Sequence, residues 1–497
     1  MDPLGTITMF FRFVDTETKS VLKELMKRAY TYSDFASLVA ERAFLSESSH
    51  DLVFMAALHA SKLWNMQELS KLSKKYSTNL LIKPFLLYKE SELGEEVDWQ
   101  GVLDATKGVL DTHPPAWIAL HMLFLNYSVA IGSHREPLRA YTLAAIANLM
   151  RSNRELSCFS SSYSFLRAAL WTRIEDQDKR RGFIEKAIDL AKEYDDRYSE
   201  GYGYRALASI SLSSDPQQAQ EYLQSADAIF DELGHKLGLA ENYDTLAGVF
   251  QSKGEFDKAL DCLSESIKIK EALGVNNWLT PTNVAWIYNL VGDKRTALEW
   301  SEYALVSVCM CDNLLGYPHL ARARALISVG RTEDALEHLD VALQYALKEG
   351  DERLMRLYDV TQTLLQRAEG DVSSALLSLE RQMAADYQML DVLDTNEYLL
   401  LLAETEVLSF KVTSDNRYSE YSGPWMERLE KRARDNELAG FFGLILLQKA
   451  RLRLKQNRVA EARLLVDQAQ QLGQIYNMDL IYKRATKYSE IIDTLGH

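Results

Sequence analysis

The sequence predicts an all-α protein, an α-solenoid made of antiparallel helix pairs. Glycines recur at Gly254, Gly292, Gly330 and Gly370, which are 38, 38 and 40 residues apart. An alanine follows each of them five residues later, and no Pro/Gly/Ser-rich linker divides the 497 residues. A fixed period of this size indicates stacked supersecondary units. Each unit buries its apolar face only against its neighbours, so the chain is expected to form one continuous body.

Each recurring position has a physical reason. The glycine ends the first helix of a pair because it adopts the left-handed conformation without a Cβ penalty. The alanine lies where two helices cross closely and a larger side chain would separate them. The last copy has Asn457 in place of glycine. The alanines that follow the turns are Ala259, Ala297, Ala335, Ala375 and Ala462.

The first helix of each pair repeats as well. A small residue lies seven positions before the turn, at Ala247, Ala285 and Ala323, and again at Ala450. The position three residues later is apolar in three copies (Phe250, Tyr288 and Leu326), whereas the last copy has Arg453 there.

These features resemble the tetratricopeptide repeat, most clearly over 240–390 and 443–473. The period exceeds the family's usual length because the links "ELGHKLG" and "ALGVNNW" are extended. This resembles the long-link variants in sensor and scaffold arms of prokaryotic signalling regulators. The resemblance implies a right-handed superhelix with an extended concave groove.

The array is expected to cover residues 76–497 in degenerate units, preceded by an N-terminal helical cap or small bundle over 1–75. One unit is well marked at its start, where Asp215 caps a helix and Pro216 takes the first helical position. The stretch 411–423 reads as a long loop.

Composition argues against several classes of function. The formal net charge is −15, which gives no general attraction to nucleic acid or anionic lipid. The basic stretches at 178–183, 431–434 and 451–458 read as solvated helix faces. No signal peptide or membrane span is visible, and four cysteines are too few for a disulfide framework, so the sequence predicts a cytoplasmic protein.

No motif indicates catalysis. The sequence contains no phosphate-binding loop, dinucleotide fingerprint, zinc-protease helix or nucleophile elbow. The pair Cys309 and Cys311 lacks a second pair at metal-ligand spacing, so buried packing is favoured. We therefore predict no catalytic residue, no cofactor and no metal, and a protein that is not an enzyme. An enzyme within the degenerate region 113–180 is kept as a third hypothesis.

The resemblance implies that the first helix of each pair lines the groove through positions 2, 5, 6, 9 and 12 of the repeat. Asparagine can bond a peptide backbone, arginine a carboxylate, and tryptophan or tyrosine can anchor a partner. Alternatively, Asn289 and Arg367 are merely solvated and Trp286 belongs to the core. The predicted groove residues are Asp244, Gln251, Thr282, Asn283, Trp286, Asn289, Tyr317, Arg324 and Arg367.

Two functional hypotheses lead. The first is a scaffold or adaptor that binds a protein or peptide segment in the groove, with Asn283 and Arg324 as polar clamps. The second is a peptide- or ligand-responsive regulator whose N-terminal helices act as the effector. In both cases the partner is protein or peptide, with no direct contact to nucleic acid or membrane.

Overall fold

The fold is known from a computed structural model, which is helical throughout the residues it describes and contains no strand within them. The described residues are 7, 9–45, 49–62, 66–76, 79–93, 98–132, 136–168, 177–212, 215–275, 277–307, 316–349, 351–386, 392–410 and 423–495. Cys309 and Cys311, and the predicted loop up to residue 422, lie outside these ranges.

The first part of the chain contains twelve of the α-helices, together with short 3-10 segments at Met9–Arg12 and Arg154–Phe159. These helices are α1 Thr16–Met26, α2 Tyr32–Leu45, α3 His50–Lys62, α4 Met66–Lys75, α5 Lys83–Leu93, α6 Trp99–Asp111, α7 Ala116–Gly132, α8 Glu136–Ser152, α9 Ser160–Ala168, α10 Gln177–Glu193, α11 Arg197–Ser211 and α12 Pro216–Leu233.

The second part continues with the clearest repeats. Its helices are α13 Lys236–Lys253, α14 Phe256–Ala272, α15 Leu279–Val291, α16 Lys294–Val306, α17 Gly316–Val329, α18 Thr332–Glu349, α19 Glu352–Ala368, α20 Val372–Asp386, α21 Val392–Ser409, α22 Pro424–Asp435, α23 Ala439–Lys455, α24 Val459–Ile475 and α25 Asp479–Leu495. Consecutive helices pack on each other along the chain, as the predicted solenoid requires.

The repeat positions behave as predicted. The four turn glycines and Asn457 all have positive φ angles, between 61° and 107°. The five alanines that follow the turns are fully buried, and so are Ala285, Ala323 and Ala450 in the first helices. Asp215 accepts hydrogen bonds from the backbone N–H groups of residues 217 and 218, with Pro216 as the first residue of α12. The all-α solenoid of helix pairs is therefore confirmed.

The N-terminal helices share their apolar core with the helices that follow them. This core begins at Ile7 and continues through α7 to Ile229 and Leu233 at the end of α12. A Cβ placed on Gly234, directly after α12, would lie 3.1 Å from both Ser33 Cβ and Thr31 Oγ1. The boundary at residue 75 stays a prediction, but the segment before it is packed tightly against the later helices.

The array from α13 onwards curves back on itself. Helices α21 and α23 pack against α13, and α25 packs against α14 and α15. The Asn396 side chain donates to the Ser252 carbonyl at 3.1 Å, and the backbone N–H of Leu480 donates to Asp257 Oδ1 at 3.3 Å. One apolar core consequently runs from Ala247 to Ile481.

No helix within the described ranges is both long enough and apolar enough to span a bilayer.

Candidate partner-binding face

The first helices of the pairs, α13, α15, α17, α19, α21 and α23, form the candidate binding face. Consecutive first helices α15, α17 and α19 contact one another, and α21 closes onto α13 from the other side. We call this surface the inner face. All nine groove residues predicted from the sequence lie on α13, α15, α17 and α19.

Arg324 is the centre of the inner face. Its Nε donates to Thr361 Oγ1 at 2.8 Å, and its Nη1 pairs with Glu397 Oε1. Its guanidinium carbon lies 4.1 Å from the centroid of the Trp286 ring, whose Nε1–H donates to Glu397 Oε2 at 2.9 Å. The Arg324 and Glu397 side chains are only 7% and 10% exposed. Both carboxylate oxygens and the guanidinium are therefore engaged, as a pair removed from water requires.

Arg367 lies farther along the same face. Its Nη1 donates to Thr405 Oγ1 at 2.9 Å and is 4.0 Å from Glu404 Oε2. Burial lowers the pKa of the Arg367 guanidinium, Glu404 raises it, and Arg451 and Arg324 lower it further. That Arg324 and Arg367 line a partner-binding groove stays a prediction.

Three of the predicted groove residues have structural partners in their own unit or are buried. Asp244 pairs with Lys270 and accepts from Thr280 Oγ1 at 2.9 Å, which ties α13 to α14 and to the first turn of α15. Gln251 is 7% exposed. Thr282 is 4% exposed and donates to the Trp278 carbonyl at 2.6 Å. The structure thus gives Asp244 a role in joining three consecutive helices.

The remaining predicted residues keep part of their surface in solvent. Asn283 and Asn289 are half-buried on either side of Trp286. The Asn289 Nδ2 atom is buried and has no hydrogen-bond partner among the described residues. Tyr317 donates its hydroxyl to Asp351 Oδ2 at 2.9 Å, and the same Asp351 caps α19.

A small cavity adjoins Arg324 and Glu397. Its volume is about 20 Å³, which is room for about one water molecule. Its walls mix charged and largely apolar side chains, namely Arg324, Arg353, Arg356, Leu357, Val360, Glu397, Tyr398 and Leu401.

Sequence reasoning missed the residues that α21 and α23 bring to this face, above all Glu397, Glu404 and Arg451. The repeat pattern is blurred between 384 and 440, so α21 had no assigned register. Helix α23 had a register through Ala450 and Asn457, but no groove residue was predicted on it. A signal was present, because Glu397 and Glu404 lie seven residues apart in the apolar stretch "NEYLLLLAETEVL". Carboxylates in such a stretch need partners when it is buried. The basic stretch 451–458, predicted to be solvated, is half-buried over most of its length.

Among its described residues, the region retained for an enzyme hypothesis contains one buried histidine. His121 is 6% exposed, donates its Nδ1–H to the Trp117 carbonyl at 2.7 Å, and is surrounded by aromatic rings that include Phe54 and Phe159. In the part of the chain that the structure describes, no group of three or more His, Cys, Asp or Glu side chains is arranged to hold a metal ion.

Comparisons with known proteins find likeness in structure only. No protein-family model matches the chain, and no curated protein matches it. The solved structures that are similar to this chain include the following three. A Rap protein complexed with competence and sporulation factor has a TM-score of 0.41 at 12% identity, covering 68% of this chain and 99% of that one. Yeast Tom70 has a TM-score of 0.32 at 14% identity, covering 97% of this chain and 96% of that one.

The third is a signal-transduction ATPase with numerous domains from Pyrococcus horikoshii, which carries a tetratricopeptide repeat sensor. Its TM-score is 0.35 at 14% identity, with 90% of this chain and 75% of that one covered. Because each of these three TM-scores is below 0.5, the description of this chain as a tetratricopeptide-like repeat protein rests on its own helix pairs, turns and buried alanines.

Proposed function

We propose that the chain is a non-enzymatic cytoplasmic scaffold that binds a protein or peptide segment on its inner face. The observation that supports this most is the meeting of Trp286, Arg324, Thr361 and Glu397, which come from four different first helices. These four polar side chains meet only when the four helices keep their positions relative to one another. The centre is thus suited to binding a partner that recognises the shape of the whole array.

Glu397 indicates the chemistry that this centre accepts. A carboxylate engages an indole N–H with one oxygen and a guanidinium with the other. Arginine and tryptophan are also the residues that dominate protein interfaces when they are well packed. If α21 moved aside, a carboxylate of the partner could accept from the same two donors, the Trp286 indole and the Arg324 guanidinium. If α21 stayed in place, the partner segment would lie along the half-buried surface next to these donors.

The two asparagines supply contacts for an extended segment. Asn283 and Asn289 flank Trp286 at one helical turn on each side, and each amide offers a donor and an acceptor to a peptide backbone. The buried, unbonded Nδ2 of Asn289 is an unused donor within the described part of the molecule.

The test is the affinity of a purified partner, first identified by crosslinking to the intact chain. Asn283→Ala combined with Asn289→Ala should weaken binding at least tenfold, or about 1.4 kcal/mol. The matched control is Lys268→Ala on α14, because Lys268 is 64% exposed and lies on a second helix of its pair. Unchanged affinity in the folded double variant would show that the inner face is not the binding surface.

A second pair of substitutions tests the Arg324 centre without leaving a buried charge alone. Replacing only one member of a buried ion pair is strongly destabilising, whereas replacing both by apolar residues of similar size is often tolerated. Arg324→Met with Glu397→Met should therefore preserve the fold and reduce partner affinity. Equal affinity of this folded variant would remove the centre from the proposed site.

A ligand-responsive regulator is the second candidate function. The contact of Thr31 and Ser33 with Gly234 favours it, because a change in the array at α12–α13 would reach the N-terminal helices directly. Small-angle scattering with the same purified partner discriminates the two functions. Compaction on binding supports the regulator, and an unchanged radius of gyration supports a rigid scaffold.

A further inference from the structure

Four basic side chains converge where the closing helices meet the first repeats. Lys294 is the first residue of α16, Arg367 is in the last turn of α19, Arg451 is near the end of α23, and Arg484 is in α25. We call these four the cationic cluster. One carboxylate, Glu404 of α21, lies among them.

The four cations are close enough to act on one another. The pKa of Lys294 is lowered by burial first, and then by Arg451, Arg367 and Arg484, while Glu404 alone raises it. Mutual repulsion of this kind disfavours the charged form of each member.

Glu404 does not neutralise the cluster. Its Oε2 is 4.0 Å from Arg367 Nη1 and its Oε1 is 3.9 Å from Arg484 Nη2, both at the outer limit of an ion pair. Its close hydrogen bond instead comes from Gln448 Nε2, at 2.9 Å. Glu404 is the carboxylate that raises the pKa of both Lys294 and Arg367, and it is already bonded to an amide.

Several polar atoms around the cluster are unused. The Nη1 of Arg484 and the Oε1 of Gln448 are buried and lack hydrogen-bond partners among the described residues. Within the same ranges, the side chains of Lys294 and Arg451 form no ion pair or hydrogen bond. The Arg484 guanidinium is held in place against the turn at Gly292, where a Cβ would lie 2.9 Å from its central carbon.

Helix dipoles account for only part of this arrangement. Arg367 and Arg451 lie near the C-terminal ends of their helices, where a cation is stabilised. Lys294 begins a helix, so the helix dipole disfavours its positive charge. Arg484 lies in the first half of α25, where the dipole does not stabilise a cation. A net excess of positive charge remains where three half-buried arginines adjoin the exposed Lys294, in a chain of net charge −15.

We propose that the cationic cluster binds a multiply charged oxyanion, which is either a free phosphate compound or the carboxylates of an acidic peptide. Arginine guanidinium groups bind phosphate and carboxylate through paired hydrogen bonds, and lysine adds a point charge. Bound there, the anion would also hold α16, α19, α23 and α25 together. The site does not depend on the Trp286–Arg324–Glu397 centre, so either can fail without the other.

The test measures binding by calorimetry, at constant ionic strength, of two probes: inorganic pyrophosphate and a hexaglutamate peptide with blocked ends. Lys294→Gln and Arg451→Gln should each weaken binding at least tenfold. The matched control is Arg295→Gln, because Arg295 is the next residue in the chain, 91% exposed and paired with Glu299. The control should bind as the unaltered chain does.

Melting temperatures give an independent readout. The substitutions that weaken binding of the probe should not lower the melting temperature of the probe-free chain. Without a probe, Lys294→Gln and Arg451→Gln should melt at the same or a higher temperature than the unaltered chain, because each substitution removes repulsion. With the probe, only the unaltered chain and Arg295→Gln should gain stability. Binding of pyrophosphate alone identifies a free phosphate compound as the ligand, and binding of hexaglutamate alone identifies an acidic segment.

Three results would overturn the proposal. The first is that neither probe binds more tightly than millimolar. The second is that both cluster variants bind as well as the unaltered chain. The third is that Arg295→Gln weakens binding as much as the cluster variants do. In the last case the attraction would be a general effect of surface charge.

Discussion

His121 and His235 are buried as neutral imidazoles in the part of the molecule that precedes the clearest repeats. Burial lowers the pKa of each to about 3. His121 donates to the Trp117 carbonyl, whereas His235 Nε2 lies 3.0 Å from the Tyr202 hydroxyl and its Nδ1 is buried without a partner among the described residues. Each of these two histidines should therefore make the free energy of unfolding depend on pH.

The sign of this dependence follows from proton uptake. An unfolded histidine titrates near pH 6.5, while these two stay neutral in the folded chain down to about pH 3. Only the unfolded state binds protons on these histidines between those two pH values. Their contribution to folding stability is therefore fully present above pH 6.5 and is lost as the pH falls. Each histidine should contribute a loss of about 1.4 kcal/mol per pH unit across this window.

His235→Gln tests this with urea unfolding at pH 7.5 and pH 5.5. The variant should be less stable at the higher pH because it loses packing, and its disadvantage should shrink by about 1 kcal/mol at the lower pH. Tyr202→Phe is the control, because it removes the hydrogen bond to the imidazole but keeps the titrating ring. A constant difference between His235→Gln and the unaltered chain would contradict the assignment.

At the scale of elements, the turns between paired helices share one conformation but differ in their surroundings. Gly254 and Gly330 have φ angles of 76° and 84°. A Cβ on Gly330 would meet nothing within 4 Å, whereas on Gly254 it would lie 3.0 Å from the backbone nitrogen of Phe441. Gly254 therefore has a second constraint, the close approach of α23.

Alanine substitution separates the two constraints. Gly330→Ala should destabilise by about 1–2 kcal/mol, the strain of a left-handed conformation in a residue with a Cβ. Gly254→Ala carries the same strain and must also displace the α23 backbone, so it should be clearly more destabilising. The measurement is the urea midpoint of both variants, and equal midpoints would mean that the contact between α13 and α23 contributes nothing.

The same contrast shows what the sequence could predict. Turn glycines and buried alanines form a local pattern, because each is set by its own helix pair, and Ala259 and Ala335 are buried as expected. Glu397 and Glu404 were not predicted because their partners, Trp286 and Arg367, lie on other units. The repeat period contains no information on how tightly the array curves. The resemblance predicted an extended groove, whereas in the structure α21 and α23 pack against α13 and bring Glu397 and Glu404 to the inner face.

On the scale of the whole molecule, this curvature changes how stability is distributed. In an open solenoid each unit contacts only its neighbours, so stability is a sum of local terms. In this chain one apolar core joins residues from Ala247 to Ile481, and the Phe256 and Phe441 rings meet edge-to-face at 5.5 Å. Units far apart in the chain are thus expected to open together.

Gly440→Ala tests that coupling, because a Cβ there would overlap the carbonyl oxygen of Gly254, and no side-chain rotation can relieve a clash with backbone. Helices α23 and α13 must separate. Hydrogen exchange followed by mass spectrometry should therefore be faster in α13–α15 as well as in α21–α25, although about 190 residues lie between the two sets of contacts. Exchange in α6–α8 should be unchanged, since these helices belong to the separate N-terminal core. Faster exchange confined to α22–α24 would show that the chain behaves as an open array and that the closure carries no cooperative stability.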